Sequence, residues 1–293
     1  MKKKTITVII ATYQAEKYIT DCINSLLKQT NESFNIVIVD NNSSDKTRML
    51  IKGYLQNNLT IHLIENRKNL GFAKANNIGI RYALTKLNAD YLFLLNQDTV
   101  VENNLLDKLL YWAPQKGIAA FGPKILIKNN NRIWWIGTKV FKIKDLWKTL
   151  RLALSYQIDK EQEDTFFIDK PVEVEAIVGC AVFLPKEIIE NVGYLDEMFF
   201  MYGEDLDYSL RIRKKGYKLF VISEAIVYHD VYLENEALSA KDNLNKTLKR
   251  YYLHLLGSLI VLHKHFSFVY TLVWLIRMPF SITYEIVRRV RKL

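Results

Sequence analysis

Asp98 closes an apolar run, Tyr91 to Leu95, from which it is separated by the polar pair Asn96-Gln97. A carboxylate at the end of a strand can hold Mg²⁺ or Mn²⁺, hard ions commonly shared between one or two carboxylates and substrate phosphates. It can equally cap the helix that follows. Glu204-Asp205-Leu206-Asp207 puts three acids at the predicted start of a helix, where the macrodipole favours negative charge. Three acids exceed what a cap requires, and Tyr202-Gly203 just before them suggests a tight backbone approach. A carboxylate in such a place serves as a general base if its proton donor lies within hydrogen-bond reach. His229 follows the run Ala225 to Tyr228, and a lone histidine is more often structural than a ligand. His254, His263 and His265 make no recognisable metal spacing. The two cysteines, Cys22 and Cys180, are too few for a disulfide framework or a cysteine-based zinc site, so a reducing cytosolic environment fits.

These groups need elements to hold them. Thr5 to Ala11 is continuous and apolar, as in a strand covered on both faces. Ile19, Cys22, Ile23, Leu26 and Leu27 recur at helical spacing within 15–29. Phe34 to Val39 reads as a second buried strand ending in Asp40-Asn41-Asn42-Ser43-Ser44-Asp45. Helices over 45–57, 72–87 and 103–112 alternate with strands at 60–65, 91–95 and 118–121. Glu173 to Leu184 reads as a strand pair, or a strand with a turn at Gly179. Helical spacing follows within 198–213, and a strand at 217–222. Alternating strands and helices predict an α/β fold with a mostly parallel, Rossmann-like sheet flanked by helices. Ligands bind such sheets at the carboxyl ends of the strands. Thr12-Tyr13, Asp40 to Asp45 and Asn96 to Asp98 all follow strands directly, so they should line one edge. Neither a dinucleotide-binding glycine fingerprint nor a phosphate-binding P-loop follows any of these strands.

The chain has 293 residues, a net charge of +10 and 49% hydrophobic residues, which excludes a disordered or collagen-like polymer. Ten basic residues against two acids fall within 241–293, so this segment carries +8 and residues 1–240 only +2. The expected division is a catalytic domain over 1–240 and a basic, aromatic-rich helical tail over 241–293. Neither apolar run of that tail, 251–262 or 266–276, reaches the roughly 20 residues needed to span a bilayer. Basic residues flanking Trp, Tyr, Phe and Leu suit amphipathic helices lying on an anionic membrane surface. Two helices packing on the main domain are the alternative. No nucleic-acid recognition module accompanies the charge. The first apolar run is too short for a secretion signal and lacks a cleavage site.

Taken together, VIIATYQAEKYI at 8–19, IVIVDNNSSD at 36–45, ENRKNLGFAKANNIGI at 65–80, LFLLNQD at 92–98, VGCAVFLPKEII at 178–189 and GYLDEMFFMYGEDLDYSLRIRKKGY at 193–217 resemble family 2 glycosyltransferases of the GT-A fold. The resemblance covers roughly residues 5–230 and is nearest the rhamnosyltransferase-type branch that builds bacterial surface polysaccharides. It implies that Thr12, Tyr13, Asp40 and Asn42 frame the nucleotide, with Arg67, Asn69, Gly71 and Lys74 on the nucleotide and its phosphates. Asp98 matches the last acid of the family's DxD metal motif, and His229 a histidine that completes the metal site in part of the family. Asp205 matches the catalytic base, with Glu204 beside it. Asn96 stands where the first DxD acid would be, so one carboxylate is missing, and the Q-x-x-R-W signature of processive relatives is absent.

The implied activity is an inverting transfer of one sugar from dTDP-rhamnose, or else a UDP-sugar, assisted by Mn²⁺ or Mg²⁺. The expected acceptor is a saccharide or lipid-linked saccharide at the cytoplasmic face of the membrane. Two rivals are a nucleotidyltransferase that makes nucleotide sugars and a non-catalytic membrane-surface protein. The first would be expected to carry a glycine-rich loop after strand one, and Ala11 to Tyr18 has no glycine.

Overall fold

The computed structural model describes residues 4–31, 33–56, 58–138, 170–230 and 240–266, with residues 268, 271, 272, 275 and 276 beyond them. Of the stretch over 140–170, a candidate acceptor surface by its sequence, residues 140–169 lie outside the described residues.

The first half alternates as its sequence predicts: β1 (Ile6–Thr12), α1 (Ile19–Leu27), β2 (Phe34–Asp40), α2 (Thr47–Leu55), β3 (Ile61–Glu65), α3 (Phe72–Lys86) and β4 (Tyr91–Leu95). The second half is β5 (Thr99–Val101), α4 (Leu105–Trp112), β6 (Ala119–Ile127), β7 (Ile133–Trp135), β8 (Val172–Val174), β9 (Ala181–Pro185), α5 (Lys186–Val192), α6 (Glu204–Lys214), β10 (Lys218–His229) and α7 (Ala240–His265). All strands join one sheet in the order β3-β2-β1-β4-β9-β6-β10-β5, with β7 on β6 and β8 on β10.

The run β3-β2-β1-β4 is parallel, and its central strands are buried and rich in Ile, Val, Leu and Phe because helices cover both faces. β9 then enters antiparallel between β4 and β6, so the sheet is mixed. Three details differ from the sequence pattern. Residues 15–18 form a turn ahead of α1, because the Ala15 amide is taken by the Thr47 hydroxyl at 2.7 Å. β8 and β9 do not pair with each other: β8 joins β10, and β9 joins β4 and β6. The two strand signals at 217–222 and 225–228 are one strand, β10, with a register shift between Ile222 and Ile226.

The later turns of α7 pack on the rest of the chain. Val261 and Leu262 are buried, and Ile260 and Phe266 lie against the main core. Among the described residues, no helix is long and apolar enough to cross a membrane.

Candidate active site

The site is assembled at the carboxyl ends of β1, β2 and β4. Thr12 and Asp40 end their strands side by side, in register, with the Thr12 hydroxyl donating to Asp40 Oδ1 at 3.3 Å. The Ser43 amide donates to Asp40 Oδ2 at 2.9 Å, and Arg48 Nε stands 3.9 Å from the same oxygen. Asp40 is therefore fully buried and held by the protein, whereas Tyr13 is 44% exposed and Asn42 is exposed beside it. Gln97 ties the third strand end to the first: its Oε1 accepts from the Tyr13 amide at 2.8 Å, and its Nε2 donates to the Tyr13 carbonyl.

Asn41 organises the next segment. Its Oδ1 accepts from Asn66 Nδ2 at 3.0 Å and from the Leu70 amide, and its Nδ2 donates to the Gly71 carbonyl at 3.2 Å. Asn69 Oδ1 accepts from the Gly71 amide, and Arg67 is exposed on the same loop. Gly71 adopts φ +84°, and a Cβ there would overlap the Phe200 carbonyl oxygen, which accepts the Phe72 amide at 2.7 Å. Only glycine suits both demands. The segment after α5 is thus seated on the start of α3. Along α3, Asn77 exchanges bonds with Leu195 and, with Arg81, donates to Glu197. Lys74 is ion-paired to Glu197 at 3.4 Å.

Asp98 and His229 are brought together by β5, a three-residue strand that the sequence pattern does not reveal. Its antiparallel pairing sets Thr99 opposite His229, and the Asp230 amide donates to the Asp98 carbonyl at 2.9 Å. His229 Nε2 then lies 3.2 Å from Asp98 Oδ1, and the Trp134 ring tilts against the imidazole at 4.9 Å. Asn96 Oδ1 and His229 Nδ1 are buried without a hydrogen-bond partner among the described residues, and Asp98 Oδ1 and His229 Nε2 have none there beyond each other. Buried polar atoms are normally satisfied, so such a group fits a ligand set. Among the described residues, no three His, Cys, Asp or Glu side chains form a metal cage of their own. One carboxylate and one imidazole nevertheless fit an ion that shares its remaining positions with phosphate oxygens.

Asp205 approaches from α6. Its Oδ2 accepts from the Gly179 amide at 2.9 Å and its Oδ1 from the Leu206 amide at 2.8 Å. The neighbouring Cys180 carbonyl accepts the Asn96 amide at 2.9 Å, so one turn of backbone links the base candidate to the metal candidate. Cys180 is buried, and burial, together with the charges of Asp98 and Asp205, raises its thiol well above the ordinary range. Glu204 points inward at 6% exposure, and its Oε2 has no hydrogen-bond partner among the described residues. Burial, reinforced by the Asp205 charge, pushes its carboxyl up to about 8. The two adjacent acids therefore differ in character: Glu204 is neutral near pH 7, while Asp205 faces backbone donors.

Sequence reasoning missed Asn41, Gln97 and Asp207 as working residues, although all three stand inside polar clusters that it had singled out. Asp207 is fully buried, with Arg211, Lys264 and His265 around its carboxylate. Burial opposes its charge, but bonds from His265, Lys264 and Arg211 outweigh that and hold it down to about 2.

The family model described as Glycosyl transferase family 2 matches residues 7–184. The chain is 26% identical over 226 residues to the dTDP-rhamnosyl transferase RfbF of Shigella flexneri, covering 77% of this chain and 69% of that one. It is 26% identical over 213 residues to the low-salt glycan biosynthesis hexosyltransferase Agl10 of Haloferax volcanii, covering 72% and 62%. Among solved structures, GalNAc-T7 with UDP, GalNAc and Mn²⁺ is similar at a TM-score of 0.66 and 18% identity, covering 85% of this chain and 48% of that one. S. aureus TarS is similar at a TM-score of 0.56 and 16% identity, covering 91% and 41%. The chain thus spans less than half the length of both solved chains. Because the family model matches well over half of its residues, this chain belongs to glycosyl transferase family 2.

Proposed function

We propose that the chain transfers one sugar from a nucleoside-diphosphate donor to an acceptor hydroxyl, with inversion at the anomeric carbon. The observation that carries this reading is the backbone link between Asp205 and the Asp98–His229 pair through Gly179, Cys180 and Asn96. It ties the Asp205 carboxylate, through two backbone hydrogen bonds, to the strand end that leads into Asp98.

Asp205 takes the proton from the acceptor hydroxyl as that oxygen bonds to the anomeric carbon. The bond from that carbon to the diphosphate oxygen breaks on the opposite face, and the nucleoside diphosphate leaves with the bonding pair. No covalent enzyme intermediate is needed, and a positioned base of this kind contributes roughly 10²–10⁴-fold. Asp98 and His229, with the Asn96 amide oxygen near them, would hold Mn²⁺ or Mg²⁺, which when bound neutralises charge on the departing diphosphate. Tyr13, Asn42, Arg67, Asn69 and Lys74 border the nucleotide side. Lys74 would have to exchange Glu197 for phosphate to act there, whereas Asp40 acts from behind by fixing the Thr12 and Ser43 loops.

The donor assigned to this chain is dTDP-rhamnose, by likeness to the Shigella relative; a UDP-sugar is second. The acceptor is a saccharide or a lipid-linked saccharide in cell-surface polysaccharide synthesis. A lipid-linked acceptor suits the outer face of the tail: Tyr252, Leu256, Phe268, Leu272 and Ile276 are exposed apolar residues, with Lys249 and Arg250 exposed before them. That face would rest on the anionic cytoplasmic surface of the membrane.

The test is release of nucleoside diphosphate from a panel of dTDP- and UDP-sugars with Mn²⁺ or Mg²⁺, for the native chain and Asp205→Asn. The variant should lose turnover at least 100-fold while titrating with the same nucleotide at near-native affinity. Normal turnover in that variant would overturn the assignment of the base.

A further inference from the structure

Asp205 can act only if the first turn of α6 is held still. Its N-cap residue Gly203, at φ +90°, supplies no side-chain cap, and Tyr202 before it sits at φ +71°, an unfavourable angle for a bulky side chain. Asp207, in the same turn, is a fully buried carboxylate. Leaving a buried charge without its partners is strongly destabilising.

The missing restraints come from α7. Arg211 binds Asp207 Oδ2 at 2.8 Å from within α6, but Oδ1 is met by Lys264 Nζ at 2.6 Å and His265 Nε2 at 2.7 Å, both from α7. Lys264 also meets Asp196 at 2.5 Å, and its ammonium lies 5.5 Å from the Phe199 ring centre. It thereby ties down the far end of the segment that leads into Gly203. Two turns earlier, Gly257 lies directly against the Tyr202 carbonyl, where any Cβ would collide with backbone. His254 stacks on the Tyr202 ring at 3.6 Å. Burial, with the charge of Arg250, holds that imidazole down to about 4, so it stacks as a neutral ring near pH 7.

We propose that α7 is a working part of the transfer site: Lys264, His265 and Gly257 are positioning residues that clamp the 202–207 turn and so fix where the Asp205 carboxylate stands. This rests on Asp205 being the base. Its consequence is that the C-terminal helix sets the rate of transfer without contacting the donor. Misplacement of a catalytic group by about 1 Å can cost 10²-fold in rate.

The test compares Lys264→Met, Lys264→Arg and Gly257→Ala in the full chain. Nucleoside diphosphate release from the donor that turns over is measured with titration of that nucleotide and hydrogen exchange over 199–209. Lys264→Met and Gly257→Ala should each lower kcat about 10–100-fold, leave nucleotide affinity within about twofold, and speed amide exchange in that segment. Lys264→Arg should restore most of kcat, because a guanidinium can still bridge Asp207 and Asp196. If Lys264→Met does not fold, His265→Gln, which keeps Lys264 and Arg211 on the carboxylate, should give the same split in milder form. Native kcat in folded Lys264→Met and Gly257→Ala, with only the melting midpoint lowered, would overturn the clamp. A parallel loss of nucleotide affinity would do the same. Asp205→Asn run beside them separates the two claims. An inactive Asp205→Asn with fully active clamp variants removes the clamp alone, whereas an active Asp205→Asn removes the base on which it rests.

Discussion

Glu204 offers a measurable signature of the site in the absence of any substrate. Its carboxyl is pushed from an ordinary 4.5 up to about 8 by burial and by the Asp205 charge. Between those two values the native chain keeps a proton that the unfolded chain has released, so stability falls as pH rises. The contribution is fully present below about pH 4.5 and is lost as pH passes through about 8. The slope at its steepest is about 1.4 kcal/mol per pH unit, or up to about 5 kcal/mol across the window. At about 2–4 °C per kcal/mol for a domain of this order, each pH unit moves the melting midpoint by about 3–6 °C. Glu204→Gln keeps the size and polarity of the side chain but cannot ionise. The assay is urea or thermal unfolding of both proteins at about pH 5, about 6.5 and about 8. The variant should gain on the native chain steadily as pH rises. A difference that stays flat across the three would refute a neutral Glu204 and with it the division of character between the two adjacent acids.

Three further outcomes follow from the same geometry. Gly71→Ala forces a side chain into a φ of +84° and against the Phe200 carbonyl, so it should cost about 2–5 kcal/mol in urea unfolding and weaken nucleotide binding measured by titration. Asp98→Asn removes the one carboxylate of the proposed cation site, and should raise the Mn²⁺ concentration needed for half-maximal donor hydrolysis at least tenfold while leaving the fold intact by circular dichroism. Paired Leu256→Glu and Phe268→Glu substitutions on the exposed face of the tail should abolish co-sedimentation with phosphatidylserine vesicles; unchanged sedimentation would restrict the tail to packing on the domain.

What the sequence revealed and what it concealed divide along physical lines. β1, β2 and β4 are runs of buried β-branched and large apolar residues, so local composition alone marks them, and their polar ends point to the site edge. β5 is only Thr99-Val100-Val101 and exists because β10 pairs with it, a contact between residues more than a hundred positions apart. Without β5, His229 looks like an isolated histidine; with it, His229 faces Asp98. Asn41 and Gln97 were visible only as members of polar runs, because what each one ties together depends on how neighbouring strand ends are spaced. Asp207 was legible as one more acid at a helix start. The α7 partners that offset its burial, Lys264 and His265, sit in a segment that composition marks only for its charge and apolarity.

The acidic run at 204–207 shows why a cluster in sequence need not be a cluster in space. Successive helical residues are rotated by about 100°, so Glu204, Asp205 and Asp207 leave the first turn of α6 in three directions. Glu204 goes into the interior and keeps its proton. Asp205 goes to the Gly179 amide at the edge shared with Asn96 and Asp98. Asp207 goes to α7 and stays ionised, with Arg211, Lys264 and the His265 ring around its carboxylate. Had the three shared one environment, mutual repulsion would have raised all their proton affinities and left no dependable base. Separated by the helix, Glu204 is buried, Asp207 is an anchor, and Asp205, the proposed base, is met by backbone amides. The same separation gives the C-terminal helix its hold on the turn, which it grips at Asp207.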